Sequence, residues 1–546
     1  MLLLIVQFLL LVARKEGFAL LTGRPSRGNH FFPQKESQRL TSFYSSLHST
    51  TSSSPSWDDF DYLQHWYPVS WACDIKLNRP TQVSLFDMSY AVAITKTNDT
   101  LSVLAYEDRC PHRGAALSEG RVTETGYLQC AYHGWSFDQQ GKCVQIPQSP
   151  AKSSQYSTRA CANAVPAILH QGLVWLWPGP VINNDVTLLP SPPSVPEMDD
   201  PAFKVTRTVR DFPCIDWTLL LSNIMDPDHG MFAHQASAFD MYSASPEFQM
   251  QVEQSFDSAG WQMVCKVPAQ EKLRNKDRIL RGLGTKAMPT KITGVTAFHA
   301  PTHVTISRRN EQGETSFVTA FWVCPTGTGR SRFFSAAVGK LPFLPPRWLF
   351  HALSNQFLDQ DTVLVASQQP PVLLAEVKCL EENKQSMRQG SAKVGARTNL
   401  FVYQSPTDRL VRLIDTFWDA TLAKAPRRSE TLLSMKATGL LKFIPPRHVV
   451  LDRQEQHLDI CPDSQDTVRN CEFIKRTSLV VTAAWVLRTF LNKNVNARMF
   501  WWIPVLFSGA GWSAEWIRKQ FYYNHPEANR DRDLKNIPKK MWLDPK

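Results

Sequence analysis

The chain has 546 residues, 43% of them hydrophobic and 20% charged, enough for two or three domains with a sizeable core. Its 11 cysteines are odd in number and irregularly spaced, which argues against a disulfide framework and fits a reducing compartment. The net charge of +11 is dispersed, with no basic helix and no aromatic–basic array, so nothing points to nucleic-acid binding.

The N-terminus reads as two addresses in series. Residues 1–13 are an apolar run of signal-peptide length, shorter than the roughly 20 residues of a comfortable membrane span. Residues 20–56 are rich in Ser and Thr, basic and poor in acids, the composition of a transit peptide or a disordered linker. Segments 1–17 and 18–57 are therefore expected to be signal-peptide-like and transit-peptide-like, with a secreted chain carrying a Ser-rich linker as the alternative.

Residues 60–180 read as a small all-β domain. Segments 82–86, 91–95 and 101–106 have strand character, and Gly126, Gly134 and Gly141 punctuate the stretch beyond residue 106. Within this domain lie Cys110-Pro111-His112-Arg113 and Cys130-Ala131-Tyr132-His133-Gly134-Trp135, with seventeen residues between His112 and Cys130. One Cys and one His on each of two loops suit a [2Fe–2S] cluster, with Cys110 and Cys130 on one iron and His112 and His133 on the other. Zinc also takes mixed Cys/His ligands, but its sites more often present Cys-x-x-Cys.

Residues 181–445 read as a mixed domain of antiparallel strands, such as 302–307, and helices around 216–235 and 353–368. Asn223, Asp226 and His229 are three apart, which predicts one shared helical face, and His234 lies beyond Gly230. Two such histidines and one carboxylate make the facial triad of a non-haem Fe(II) site, with positions left open for dioxygen. Asp226 is expected to orient a ligand histidine or to bridge the two metals. A plain capped core helix with incidental histidines is the alternative. The third ligand is expected at Asp361, with Asp359 as the other candidate and helix capping as the bland role of either. His299 and His303 are expected to be pocket or surface residues.

Residues 372–445 look mostly helical and end at Ile444-Pro445-Pro446-Arg447. The region 446–546 is a distinct helical tail. Its apolar runs, 477–487 and 499–514, are each shorter than the roughly 20 residues of a span, while their tryptophans and flanking Lys/Arg suit a membrane interface. A buried helical hairpin is the other reading.

From about residue 65 to residue 471 the chain resembles the Rieske non-haem iron oxygenases. Within them it is similar to the pheophorbide a oxygenase-like branch, which includes chlorophyllide a oxygenase and Rieske proteins of the plastid envelope translocon. The resemblance rests on both metal motifs and on His65-Trp66-Tyr67-Pro68-Val69, Leu117-Ser118-Glu119-Gly120, Ile146-Pro147-Gln148 and Leu173-Val174-Trp175-Leu176-Trp177-Pro178. It implies an α+β architecture: an all-β Rieske domain, a mixed sheet–helix catalytic domain with mononuclear iron, and a helical tail. It implies Cys110, His112, Cys130 and His133 as cluster ligands, His229, His234 and Asp361 as iron ligands, and Asp226, beside Asn223, as the electron bridge. High-potential respiratory Rieske proteins carry an extra cysteine in each loop. Arg113 to Leu117 and Ala131-Tyr132 stand in those places here, which implies the lower-potential kind.

The resemblance further implies reduced ferredoxin as electron donor, dioxygen as co-substrate, a homotrimer and a C-terminal membrane attachment. The implied substrate is an apolar chlorophyll-type tetrapyrrole, with ring opening of pheophorbide a first. Oxidation of a chlorophyllide or protochlorophyllide substituent, oxygenation of another large apolar molecule and a non-catalytic translocon role are the alternatives. The presequence resembles the bipartite one of algae with complex plastids, at whose envelope or thylakoid the protein is expected. One departure stands out: plant members carry a Cys-x-x-Cys thioredoxin target near the C-terminus, whereas this chain has Cys461-Pro462-Asp463-Ser464. A disulfide switch of that form is therefore not expected, and a Cys461–Cys471 pair is left open.

Overall fold

The computed structural model describes residues 57–97, 100–150, 153, 156–181, 186–227, 229, 233–234, 250–257, 260–272, 290–310, 312–340, 344, 346–389, 395–491 and 502–522. Apart from Trp57, the two expected addressing segments lie outside the described residues.

The N-terminal segments pair as short antiparallel strands. They are β1 (Tyr67–Trp71), β2 (Thr81–Leu85), β3 (Met88–Thr97), β4 (Thr100–Glu107), β5 (Arg121–Val122), β6 (Leu128–Gln129), β7 (Ser136–Phe137), β8 (Cys143–Gln145), β9 (Ala167–His170) and β10 (Leu173–Leu176). Three sheets result, in the orders β1-β10-β9, β2-β3-β4 and β5-β6-β7-β8. Leu104, Tyr106, Leu117, Leu128 and Phe137 make a small core beneath the paired loops after β4 and β6.

A seven-stranded antiparallel sheet forms the larger domain. Its strands are β11 (Lys204–Phe212), β12 (Gln251–Asp257), β13 (Gly260–Lys272), β14 (Thr290–His299), β15 (His303–Arg309), β16 (Thr315–Gly327) and β17 (Arg330–Gly339), in the order β11-β17-β16-β15-β14-β13-β12. Helix α1 (Trp217–Met225) leaves β11 and packs on β15–β17. Asp216 caps it, the carboxylate accepting from the Thr218 N–H at 3.1 Å. The helix then stops short of the expected 235. Asp226 takes an extended conformation (φ −85°, ψ 108°) because it precedes Pro227, whose ring disfavours the helical region for its neighbour. Asn223, Asp226 and His229 therefore do not share one helical face.

Helix α2 (Arg347–Gln389) is longer than expected and runs through Pro370 and Pro371 without a break. An interior proline costs a helix about 3 kcal/mol or more. Here Val365, Ala366, Val372, Leu373 and Val377 are buried on both sides of the pair, so tertiary packing offsets the loss. Helices α3 (Asp408–Thr421) and α4 (Arg428–Ala437) complete the domain. His303, expected in a pocket or at the surface, is instead a core residue. It stacks on Trp322 at 4.9 Å and donates from Nδ1 to the Phe321 carbonyl at 2.9 Å. His299 does line a small cavity with His65 and Trp66.

The tail forms a helical hairpin from α5 (Pro462–Leu491) and α6 (Trp502–Lys519). Lys475 pairs with Glu515 at 2.9 Å and Gly511 packs against Ser478, so the two helices run antiparallel. Its base, with Val468, Cys471, Ala514 and Ile517, packs on Ala352 of α2. Farther out the apolar residues face solvent: Leu479 is 71% exposed, Phe490 79% and Val505 59%. No helix of the described residues is long and apolar enough to cross a membrane. All eleven cysteines are free thiols, so the Cys461–Cys471 pair is not formed.

Candidate metal centres

The first centre is built from two loops with the same backbone wiring. In the loop after β4, Cys110 N–H donates to the Ala115 carbonyl at 2.8 Å and Gly114 N–H to the Cys110 carbonyl at 2.9 Å. In the loop after β6, Cys130 N–H donates to the Trp135 carbonyl at 2.9 Å and Gly134 N–H to the Cys130 carbonyl at 3.1 Å. Gly114 (φ 74°) and Gly134 (φ 75°) make both turns with left-handed backbone, which a side chain would strain. Asp108 pins the first loop by accepting from Ser118 N–H and Oγ at 2.7 Å each. Gln148 Nε2 donates to the His133 carbonyl at 3.0 Å and holds the second.

These turns bring the four expected cluster residues together. Cys110 and Cys130 are buried side by side, and the His112 and His133 rings lie 4.6 Å apart. Trp135 stacks on His112 at 4.5 Å, a contact that sequence reasoning did not foresee. Burial, with Cys130 adding to it, pushes the Cys110 thiol up to about 11; a coordinated cation would instead hold it as thiolate. His112 Nδ1 is buried with no hydrogen-bond partner, an orphaned atom that a metal would satisfy. The donor set therefore fits a two-thiolate, two-imidazole cluster.

The second centre lies where α2 passes the segment after α1. His229 Nε2 is 3.7 Å and His234 Nε2 3.3 Å from Asp361 Oδ2, and their ligand atoms fall within 4.8 Å of one another. Each ring is oriented through its other nitrogen. His229 Nδ1 donates to the Asp226 backbone carbonyl at 2.5 Å, and the Asp226 carboxylate accepts the His229 N–H at 3.3 Å. His234 Nδ1 meets Gln360 Oε1 at 3.3 Å while its ring stacks on Phe357 at 3.7 Å. Phe357, Gln360 and Asp361 occupy one face of α2, which is why they meet His234 together. Two imidazoles with bare nitrogens turned to one carboxylate fit a facial-triad metal. Asn223 sits at the end of α1 and its carbonyl accepts the Asp226 N–H at 3.2 Å.

Asp359 faces elsewhere. Residues two apart on a helix point about 200° from each other. Asp359 is buried between Arg210 at 2.7 Å and Arg453 at 2.6 Å, away from the histidines. Gln360, Phe357 and this arginine pair were not legible in advance, since only the fold brings them to His234 and Asp359.

A two-thiolate, two-imidazole centre on a small β domain, joined to a sheet–helix domain with a two-histidine, one-carboxylate pocket, is the layout of a two-centre iron oxygenase. Residues 65–164, which include all four candidate cluster ligands, match the family model "Rieske [2Fe-2S] domain", and residues 298–376, which include Asp361, match "Pheophorbide a oxygenase". The chain is 28% identical to flavonoid 8-hydroxylase 2, chloroplastic, of Ocimum basilicum, over 67% of this chain and 72% of that protein. It is 28% identical to pheophorbide a oxygenase, chloroplastic, of Oryza sativa subsp. japonica, over 83% and 82%. It is 24% identical to protochlorophyllide-dependent translocon component 52, chloroplastic, of Arabidopsis thaliana, over 86% and 86%. The chain thus carries a Rieske [2Fe–2S] domain and a pheophorbide a oxygenase segment, the pairing of a Rieske non-haem iron oxygenase, and the Rieske domain implies a [2Fe–2S] cluster.

Proposed function

We propose that this oxygenase opens the macrocycle of pheophorbide a or a close chlorophyll derivative in a plastid, with ferredoxin as electron donor. The observation that carries the catalytic part is the convergence of His229, His234 and Asp361 in a chain that also bears the Cys110/His112–Cys130/His133 loop pair. Support for the tetrapyrrole is the family model over 298–376 and the rice relative's name. The plastid address is supported by the chloroplastic relatives and by the composition of residues 1–56.

In this reading His229, His234 and Asp361 hold a mononuclear Fe(II), and Cys110, His112, Cys130 and His133 hold the cluster. Held there, the cluster would supply single electrons and the iron would supply dioxygen activation. The chain's own part is orientation: the Asp226 carbonyl and Gln360 fix which imidazole nitrogen faces the metal. Asp226, one peptide past α1, is the bridge between the centres, and the route runs between subunits of a homotrimer. Asp226→Ala is expected to keep the cluster spectrum and lower coupled turnover by about 10–100-fold, the range for losing an outer-sphere partner. Single-turnover kinetics on the reduced protein check this, and full turnover would refute the bridge. Combining Asp226→Ala chains with Cys110→Ser chains in one assembly restores turnover only if electrons cross between subunits.

The substrate is tested by reducing the cluster anaerobically, adding a panel of chlorophyll catabolites and precursors, and exposing the mixture to labelled dioxygen. Label in a ring-opened product supports this reading, and label in a ring substituent moves the enzyme to pigment biosynthesis. Unlabelled pigments would discard the tetrapyrrole. The Ocimum relative then favours a second reading, hydroxylation of a smaller planar aromatic substrate. A translocon carrier without oxygenase chemistry would contain about two irons per chain instead of about three.

The exposed outer half of the α5–α6 hairpin seats the protein on a membrane surface without crossing it. Leu479, Val480, Leu487, Phe490, Val505 and Leu506, each more than half exposed, enter the headgroup boundary. Changing Leu487 and Phe490 to serine is expected to move the protein from floated plastid-lipid vesicles to the soluble fraction. Unchanged flotation would count against this seat.

A further inference from the structure

Outside the two iron centres, one other group of ligand-type side chains converges among the described residues. His351 of α2, with His457 and Cys461 from the segment ahead of α5, are at most 1% exposed, and their donor atoms lie within 4.8 Å of one another. Cys461 Sγ is 3.3 Å from His351 Nδ1. Ser464, in the first turn of α5 and fully buried, adds a hydroxyl 3.1 Å from His351 Nδ1 and 2.9 Å from His457 Nε2.

The outer nitrogens of both rings are already occupied. His351 Nε2 donates to the Arg207 carbonyl at 2.8 Å, and His457 Nδ1 donates to the Val209 carbonyl at 2.7 Å. Both carbonyls belong to β11, an edge strand of the large sheet. With these tautomers fixed, His351 Nδ1 and His457 Nε2 turn lone pairs toward the space shared with Cys461 and Ser464. Metal-bound histidines have this arrangement, one nitrogen on the ion and the other N–H on a carbonyl. Charges of both signs surround the site: Asp74, paired with Arg347 at 3.0 Å, lies beside Cys461, and Arg210 lies near His457.

We propose that His351 Nδ1, His457 Nε2 and Cys461 Sγ bind a structural Zn²⁺, with Ser464 Oγ beside the fourth position. Nitrogen and thiolate donors in a site closed to solvent suit zinc's tetrahedral preference. Binding forms two Zn–N bonds and one Zn–S bond, and the Cys461 thiol proton leaves to solvent with no change of oxidation state. The ion ties the start of α2 to β11 and to the first turn of α5. Asp361 lies ten residues farther along the same helix.

The test is zinc-edge X-ray absorption, with metal analysis, on the full-length protein isolated without chelators. The expected result is about one zinc per chain, with one sulfur at about 2.3 Å and two imidazole nitrogens at about 2.0–2.1 Å. The sulfur count identifies the site: zinc in the His229/His234/Asp361 pocket would show none, and zinc between Cys110 and Cys130 would show two. In Cys461→Ala the zinc is lost while the cluster spectrum and the iron content persist. The wild-type spectrum decides the matter even where that variant does not fold. Zinc below about a tenth of an equivalent, or zinc with no sulfur or two, overturns the proposal and leaves a neutral hydrogen-bonded network. None of these readouts depends on the substrate or on turnover.

Discussion

Asp361→Ala is expected to lose the mononuclear iron and all coupled turnover while the [2Fe–2S] cluster survives. Iron would fall from about three to about two per chain, because two imidazoles without the carboxylate no longer complete the facial set. The turnover loss should exceed the about 10–100-fold typical of losing an outer-sphere partner. Asp359→Asn makes the opposite pattern. Asp359 lies between the buried guanidiniums of Arg210 and Arg453, so neutralising it leaves two cations under-compensated. Breaking such a pair costs about 3–5 kcal/mol, with the iron still bound. Chemical denaturation and iron analysis of both variants separate the two roles. Iron lost in Asp359→Asn and kept in Asp361→Ala would reverse the assignment.

The contrast between these two acids shows where the sequence is legible. The cluster loops are readable because their chemistry is local: each cysteine is followed four residues later by a glycine that makes the same turn. The histidines at 229 and 234 are readable for the same reason, being close in sequence. Asp359 and Asp361 differ only in helix face, and both faces of α2 are buried here, so hydrophobic patterning does not distinguish them. The early end of α1 was legible in principle, since Asp226 precedes a proline, but the three-residue spacing suggested a longer helix. The passage of α2 through Pro370-Pro371 was not, because packing on both flanks overrides the local rule. Cys461 and Ser464 read as a question about disulfides. Only the fold sets His351 beside them, from more than a hundred residues upstream.

Arg428→Met is expected to cost about 3–5 kcal/mol of folding stability, as removal of one partner from a buried charge network does. Arg428 donates to Asp216 at 2.9 Å and to Glu376 at 2.7 Å, and Arg397 meets Glu376 from the other side at 2.9 Å. All four side chains are buried, so the stranded carboxylates find no water to replace the guanidinium. The damage reaches the His229/His234/Asp361 pocket through geometry. Asp216 caps α1, and the far end of α1 delivers Asp226 and then His229. The network also sets a pH signature. Burial alone would raise the Asp216 carboxyl, but Arg428 and Arg397 outweigh it and hold it below its ordinary 3.8. Its stabilising contribution is therefore present above about pH 4 and is lost as pH falls from there through the lowered folded value. The gap between wild type and Arg428→Met should narrow over that range. Replacing Glu376 with leucine as well should recover part of the loss, since an apolar pair leaves less buried charge stranded than one orphaned acid. Urea unfolding of the three proteins at neutral and acidic pH measures this. A single-variant cost below about 1 kcal/mol would show that the network does not hold α1 in place.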